Sequence, residues 1–422
     1  MEYRRRVVDD VLDEVFPYLP AVALEGAKGV GKTLTGLQRA ASVFSLDDER
    51  TQFAVKNYPA QITEADSPVL IDEWQLVPTV WDQVRRAVDK NPTAGGTFLL
   101  TGSADVPSHA RIHSGAGRII SLTMRPLSIA ERGIEEPVVS LKELLNGTQP
   151  AISGTTHVDL PTYVDEILRS GFPGIRDLPP RARRLQLDGY VRRIVSRELP
   201  ENGVHVRKPH TLQRWLEAYA AAVSTNLSYT KLMHAATAGE DDKPAKETTL
   251  SYRDHLARIF VLEPLNAWLP TFSPLKRLTE APKHHLVDPS LAAQLAGIDD
   301  KGLLRGEGPA THVETWLGAL FESLVTQSVR VYAEAAEASV HHMRTRGGER
   351  EIDLIIERPD HSVLAIEVKL SHEVQNEDVK HLNWLDHQLG DRLLDRVIVT
   401  TGPTAYRRDD GVAVVPLSLL GP

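Results

Sequence analysis

The chain has 422 residues, two to three times what one hydrophobic core usually serves, so two or three domains are expected. With 41% hydrophobic and 25% charged residues it has the composition of an ordinary folded protein, and the lack of cysteine excludes disulfides, thiolate nucleophiles, iron–sulfur clusters and cysteine-bound zinc. No apolar run approaches the roughly 18 residues of a membrane span, which predicts a cytoplasmic protein with no membrane partner, and a net charge of -9 argues against a globally basic nucleic-acid binder while leaving room for a local basic face.

Val7, Val8, Val11, Leu12, Val15 and Phe16 recur at helical spacing and end at Pro17 and Pro20. A short apolar strand, Ala21 to Leu24, runs into a glycine-rich loop, and Leu34 to Val43 reads as a helix. Further strands are predicted at Val69 to Ile71, Thr97 to Thr101 and Arg118 to Leu122. Strands alternating with helices predict a mostly parallel, helix-covered sheet. From about Thr162 the texture turns helical (Tyr163 to Arg169, Arg183 to Ser196, Thr211 to Val223), with a polar loop at Gly239 to Lys246 and a domain linker or long loop at Gly302 to Pro309. Beyond it come a helix from Val313 to Ala333, strands Glu351 to Glu357 and Ser362 to Val368, a helix from Val374 to Leu389, and strands Arg396 to Thr400 and Val412 to Pro416.

The loop Gly26-Ala27-Lys28-Gly29-Val30-Gly31-Lys32-Thr33 matches G-x-x-x-x-G-K-[ST] in full, between a strand and a helix. Glycines let backbone N–H groups turn inward around phosphate oxygens, and the helix N-terminus adds partial positive charge. Lys32 would reach the β- and γ-phosphates of ATP, and the Thr33 hydroxyl would complete a Mg²⁺ shell. Pro68 to Ile71 is an apolar run that ends in Asp72 and Glu73: Asp72 would stand near the magnesium, and Glu73 would polarise the attacking water. Thr101 or Ser103 could orient that water or sense the γ-phosphate, or only cap the strand end in a turn. Arg118, after Gly115-Ala116-Gly117, is a candidate to touch nucleotide in cis or across a subunit interface, with Arg125 a competitor and a solvated surface charge the alternative.

Asp72-Glu73-Trp74-Gln75 with Val77-Pro78, Thr101-Gly102-Ser103, Gly117-Arg118, and Arg125-Pro126-Leu127-Ser128 with Glu131 together resemble the prokaryotic AAA-type ATPases that carry a trailing domain of unknown function. Ser170-Gly171-Phe172-Pro173, Tyr190-Val191 with Arg197-Glu198, and His285-Leu286-Val287-Asp288 resemble that family's central landmarks. The resemblance implies ATP binding and hydrolysis.

In the middle, helices over Thr211 to Val223, Tyr229 to Ala235 (capped by Asn226-Leu227-Ser228) and Thr248 to Ile259, then a strand from Phe260 to Leu265, resemble a winged helix-turn-helix. Thr249, Ser251, Tyr252 and Arg253 would then lie early in a recognition helix, reading DNA, unless the module packs against protein instead. The pairs His284-His285 and His341-His342 read as structural, because neighbours on a strand face opposite ways. In the last segment Glu322 sits on a helix, Asp353 starts one strand and Glu367-Val368-Lys369 ends the next, an order that resembles the PD-(D/E)xK restriction-endonuclease-like core. In that reading Asp353 and Glu367 hold Mg²⁺ or Mn²⁺, Glu322 completes the set from a helix, and Lys369 activates water or steadies the transition state. The alternatives are a nuclease-derived scaffold that does not cut, or simply an exposed strand with alternating charge.

The expected fold is α/β: a P-loop NTPase (AAA-type) parallel sheet over 1–150, a helical winged-helix-like region over 151–305, and a restriction-endonuclease-like α/β domain over 306–422. The expected function is a Mg²⁺-dependent ATPase coupled to a nuclease-like domain that acts on or binds nucleic acid. The rival is a regulatory or scaffold ATPase, of defence or toxin–antitoxin type, whose rear domains bind a protein partner. DNA, a protein partner and a second copy of the chain are the candidate partners besides ATP.

Overall fold

The computed structural model describes residues 3–103, 115–201, 209–237, 246–270, 280–309, 315–345 and 348–422. Packing divides the chain into two units: Met1–Arg125 with Arg197–His205 and His255–Val261, and Pro126–Ser196 with Val206–Asp254 and Leu262–Pro422.

The first unit holds a sheet of strands β1 (Ala21–Glu25), β2 (Ser42–Ser45), β3 (Val69–Asp72), β4 (Phe98–Gly102) and β5 (Ile120–Thr123), in the order β2-β3-β4-β1-β5. Every pairing is parallel. Strands β3 and β4 are buried throughout, which is why they read as unbroken apolar runs. Side chains alternate between faces along each strand. Ala21, Ala23, Val69, Ile71, Phe98 and Leu100 pack with Val80, Trp81, Val84 and Val88 of the helix Thr79–Lys90. Val22, Leu24, Leu70 and Leu99 pack instead with Leu12 of the helix Val7–Val15 and with Phe16. The helix expected to reach Val43 stops at Leu37, and Ser42–Ser45 is the sheet's edge strand. A half-exposed edge strand carries no continuous apolar run, so nothing in Ser-Val-Phe-Ser announces it.

The second unit holds β6 (Val139–Ser140), β7 (Ser153–Thr155), β8 (Ala267–Trp268), β9 (Ser339–Arg344), β10 (Glu351–Glu357), β11 (Val363–Lys369), β12 (Leu393–Thr400), β13 (Thr404–Arg407), β14 (Ala413–Pro416) and β15 (Leu420–Gly421). Eight of them form one mixed sheet, β7-β13-β14-β12-β11-β10-β9-β8, and β6 pairs with β15. The long helix Trp316–Ala335 is buried along most of its length. Packing places a division after Arg125 and groups Pro126–Ser196 with Val206–Asp254 and Leu262–Pro422. Strand β7 extends the rear sheet through β13, the N–H of Ile129 donates to Ser328 Oγ (3.1 Å), and that of Ala130 to Tyr332 Oη (3.0 Å). Of the expected strand Phe260 to Leu265 there are two bridges, Leu262 with Leu286 and Leu265 with Lys283, and Phe260 itself takes a left-handed backbone conformation. Of the polar loop predicted at 239–246, residues 239–245 lie outside the described residues. Among the described residues no helix is long and apolar enough to cross a membrane.

Candidate functional site

The phosphate loop lies between β1 and the helix Lys32–Leu37. Gly26, Gly29 and Gly31 all have positive φ, which side chains disfavour, and a Cβ at Gly26 would collide with the backbone oxygen of Met124. The loop therefore needs glycine for its own geometry. Ala27 and Val30 are buried beneath it, and Arg6 Nη1 donates to Val30 O (2.9 Å). Lys28 points outward and pairs with Glu198 (3.0 Å), at the end of the π-helical turn Ile194–Glu198.

Lys32 is 5% exposed, and its ammonium donates to Gly26 O (2.7 Å) and Ala27 O (2.9 Å). Burial brings its pKa down to about 8, against the pull of the Glu73 and Asp72 charges. Thr33 Oγ1 donates to Asp72 Oδ1 (2.8 Å), although 39 residues separate the two. Thr101 Oγ1 donates to the same oxygen, a role for Thr101 that was not read from the sequence. Glu73 follows directly with φ 53, turned out of the strand, and Ser103 Oγ (3.2 Å) and Gln75 Nε2 both donate to its Oε2. Lys32, Thr33, Asp72, Glu73 and Ser103 are thus brought together at the C-terminal end of the parallel sheet, where open α/β sheets bind ligands. Arg118 is placed otherwise: it is half exposed and donates to Asp89 (2.9 Å) and to Ala116 O (3.2 Å).

The rear carboxylates also converge. The antiparallel register of β10 and β11, Leu354 opposite Ile366, carries Asp353 and Glu367 to the same end, and Asp353 Oδ2 accepts from the N–H of Val368 (2.9 Å). Glu322, Asp353, Glu367 and Lys369 line one pocket of about 500 Å³, with Glu351, Arg344, Lys380 and His381 around them. Lys369 Nζ lies 3.1 Å from Glu367 Oε1, while Glu367 Oε2 is buried without a partner. Sequence reasoning missed the group at the centre. Lys283 Nζ lies 2.8 Å from Asp353 Oδ1, 3.0 Å from Glu322 Oε1 and 3.2 Å from Glu351 Oε1. Burial opposes its charge, but Asp353, Glu322 and Glu351 together outweigh burial and hold the ammonium well above its usual range. Burial pushes Glu322 and Glu367 up, whereas at Asp353 the Lys283 charge overcomes burial and keeps the carboxyl low, so Asp353 is the principal counter-ion. No signal in Lys283-His284-His285 marks this role, since its partners lie 39 and 70 residues away.

Tyr252 is buried and so is not presented for reading base edges, whereas Ser251 is exposed and Arg253, half-buried, stacks over Tyr229 while pairing with Asp254; the side chain of Thr249 lies outside the described residues. The central landmarks build scaffold. Gly171 N donates to Asp288 (2.7 Å), Gly171 O accepts from Leu127 N (2.7 Å), and Arg132 and Arg176 both pair with buried Glu166. His284 lies within hydrogen-bond distance of Leu227 O (2.6 Å) and packs on the rings of Tyr219 and Tyr229.

A parallel sheet of this kind, with a glycine-rich phosphate loop and an acidic strand end, defines an AAA-type, P-loop-ATPase-like domain, and residues 19–132 match the family model described as an AAA domain. Residues 160–302 and 317–420 match two domains of unknown function, DUF8612 and DUF4143. No curated protein matches the chain. Among solved structures the chain is similar to the Walker-type ATPase paby2304 of Pyrococcus abyssi, at 17% identity over 68% of this chain and 94% of that one, with a TM-score of 0.40. It is also similar to the Aeropyrum pernix ORC2 protein (12%, 71% and 93%, TM-score 0.27) and to Thermotoga maritima RuvB (18%, 64% and 91%, TM-score 0.25).

Proposed function

We propose that the chain binds ATP with Mg²⁺ and hydrolyses it, and that its nucleotide state is coupled to the rear unit. The observation that carries this reading is the meeting of Thr33 Oγ1 with Asp72 Oδ1, two hard oxygen donors from separate elements at the foot of a complete phosphate loop. These two residues fit a magnesium ion, which when bound would neutralise phosphate charge. Lys32 holds the β- and γ-phosphates, its ammonium leaving two loop carbonyls for stronger anionic partners. Thr101 holds the Asp72 carboxylate in place from the neighbouring strand. Glu73 orients the water, once Ser103 and Gln75 release or share its carboxylate. Arg118 enters the nucleotide site only if a neighbouring copy or a rearrangement frees it from Asp89.

Replacing Glu73 by Gln tests the assignment. Nucleotide binding is expected to persist while turnover falls on the order of a hundredfold or more. Turnover at the wild-type rate in that variant would overturn it.

For the rear pocket we adopt the scaffold reading, in which a nuclease-like architecture binds its partner, nucleic acid or protein, without cutting. A lysine ammonium among the carboxylates favours it, because metal-dependent cleavage needs a divalent cation there. The three-module division 1–150, 151–305 and 306–422 and the cytoplasmic address belong to the same proposal; three separate family matches support the division.

A further inference from the structure

The restriction-endonuclease resemblance implies a divalent cation held by Glu322, Asp353 and Glu367, and the side chains do not fit one as they stand. The oxygens of Glu322, Glu351 and Asp353 that face the pocket are directed at Lys283 Nζ, between 2.8 and 3.2 Å away. The ammonium donates hydrogen bonds to Glu322 and Asp353 and has Glu351 as a further ion-pair partner, so the position among these three side chains already holds a cation. A hard divalent cation would take the same oxygens at about 2.0 to 2.6 Å, so ammonium and metal cannot share the position. Among the described residues no group of three or more Asp, Glu or His side chains stands in an arrangement that could hold a metal.

Lys283 is a built part of the pocket and not a passing surface chain. Its backbone exchanges two hydrogen bonds with Leu265, both 2.9 Å, and His284 N donates to Thr225 O (2.8 Å), so the root of the side chain is pinned on both sides. Lys283 itself is 2% exposed. Glu322 arrives from the helix Trp316–Ala335, and Glu351 and Asp353 from β10. Three segments far apart in sequence therefore meet at one ammonium.

We propose that Lys283 is the resident cation of this pocket: its ammonium stands in the place of the divalent ion, and the unmodified chain binds no metal there. The inference rests on the scaffold reading of the pocket and is independent of the nucleotide site. The test is titration of the full, nucleotide-free chain with MnCl₂, followed by the paramagnetic resonance of free Mn²⁺ and by calorimetry. Wild type, Asp353→Asn, Lys283→Ala and the double variant Lys283→Ala/Asp353→Asn are compared. Any binding at Thr33 and Asp72 is common to all four and cancels. Wild type and Asp353→Asn are expected to bind equal amounts of Mn²⁺, Lys283→Ala to bind one further ion per chain, and the double variant to lose it. A Mn²⁺ site in wild type that Asp353→Asn abolishes would overturn the proposal, and that comparison needs no change at Lys283. A folded Lys283→Ala chain that gains no ion would overturn it too. If Lys283→Ala unfolds on its own, restoration of its melting transition by Mn²⁺ supports the proposal, and failure of Mn²⁺ to restore it counts against. Failure of the ATPase assignment would instead appear in turnover by Glu73→Gln and leave these titrations unchanged.

Discussion

Two lysines, Lys32 in the first unit and Lys283 in the second, are buried to nearly the same extent, and their surroundings shift their pKa values in opposite directions. Lys32 rests on two carbonyl oxygens, and burial lowers its pKa to about 8. Lys283 is ringed by three carboxylates that hold its charge firmly. Burial alone does not decide what a buried ammonium does; its acceptors do. Carbonyls leave charge to spare, so Lys32 is prepared for an anion, whereas carboxylates complete the circuit at Lys283.

The largest expected effect tests the second half of this contrast. Lys283→Met keeps the bulk but leaves the carboxylates without a cation, and removing one partner of a buried pair costs about 3 to 5 kcal/mol. Denaturant melts of the full chain, followed by a probe in the second unit, check this. A loss below about 1 kcal/mol would put Lys283 among ordinary surface pairs and dissolve the comparison. Next comes Lys32→Ala, which removes a charge-assisted contact worth about 1.5 to 3 kcal/mol, so ATP affinity is expected to fall by roughly ten- to more than a hundredfold, read by calorimetry. Stability should change little, because the two hydrogen bonds lost to Gly26 and Ala27 are offset by removal of a charge that burial disfavours.

The smallest effect is a proton. In the free chain Lys32 is charged below about pH 8 and increasingly neutral above it, while an unfolded chain keeps that proton up to its ordinary value of 10.5. The unfolded state thus binds more protons between those values, and Lys32 by itself makes stability rise with pH in that window. Nucleotide phosphates favour the charged form, so ATP binding at about pH 9 should take up a proton and affinity should weaken as pH rises past about 8. Calorimetry in buffers of different ionisation enthalpy measures the uptake. Binding heats independent of buffer would mean that Lys32 is already fully charged without ligand, and the two lysines would then be alike.

How much of each site was legible follows from how its residues are distributed. The phosphate loop is contiguous, and its glycines, lysine and threonine announce the geometry. Asp72 and Glu73 follow an apolar strand and were readable for the same reason. At the rear, Glu322, Asp353, Glu367 and Lys369 were readable as an ordered set, since two strand ends and a helix place them. Lys283 and Glu351 were not, because nothing in the residues next to them has a chemical reason to be there. Tyr252 illustrates the reverse error: an aromatic residue near the start of a helix looks presented for recognition, and only packing shows it turned inward.

The sequence by itself determined four strands of the parallel sheet, the phosphate loop with its acidic strand end, and which strand ends carry the rear carboxylates, because these depend on side-chain periodicity and short-range backbone geometry. Only the tertiary structure decided that residues 126–150 pack with the rear unit, that Arg118 is engaged by Asp89, and that the rear carboxylates close on an ammonium. Those outcomes depend on which charges meet after the chain has folded, and electrostatic pairing across tens of residues leaves no periodic trace in the order of the amino acids.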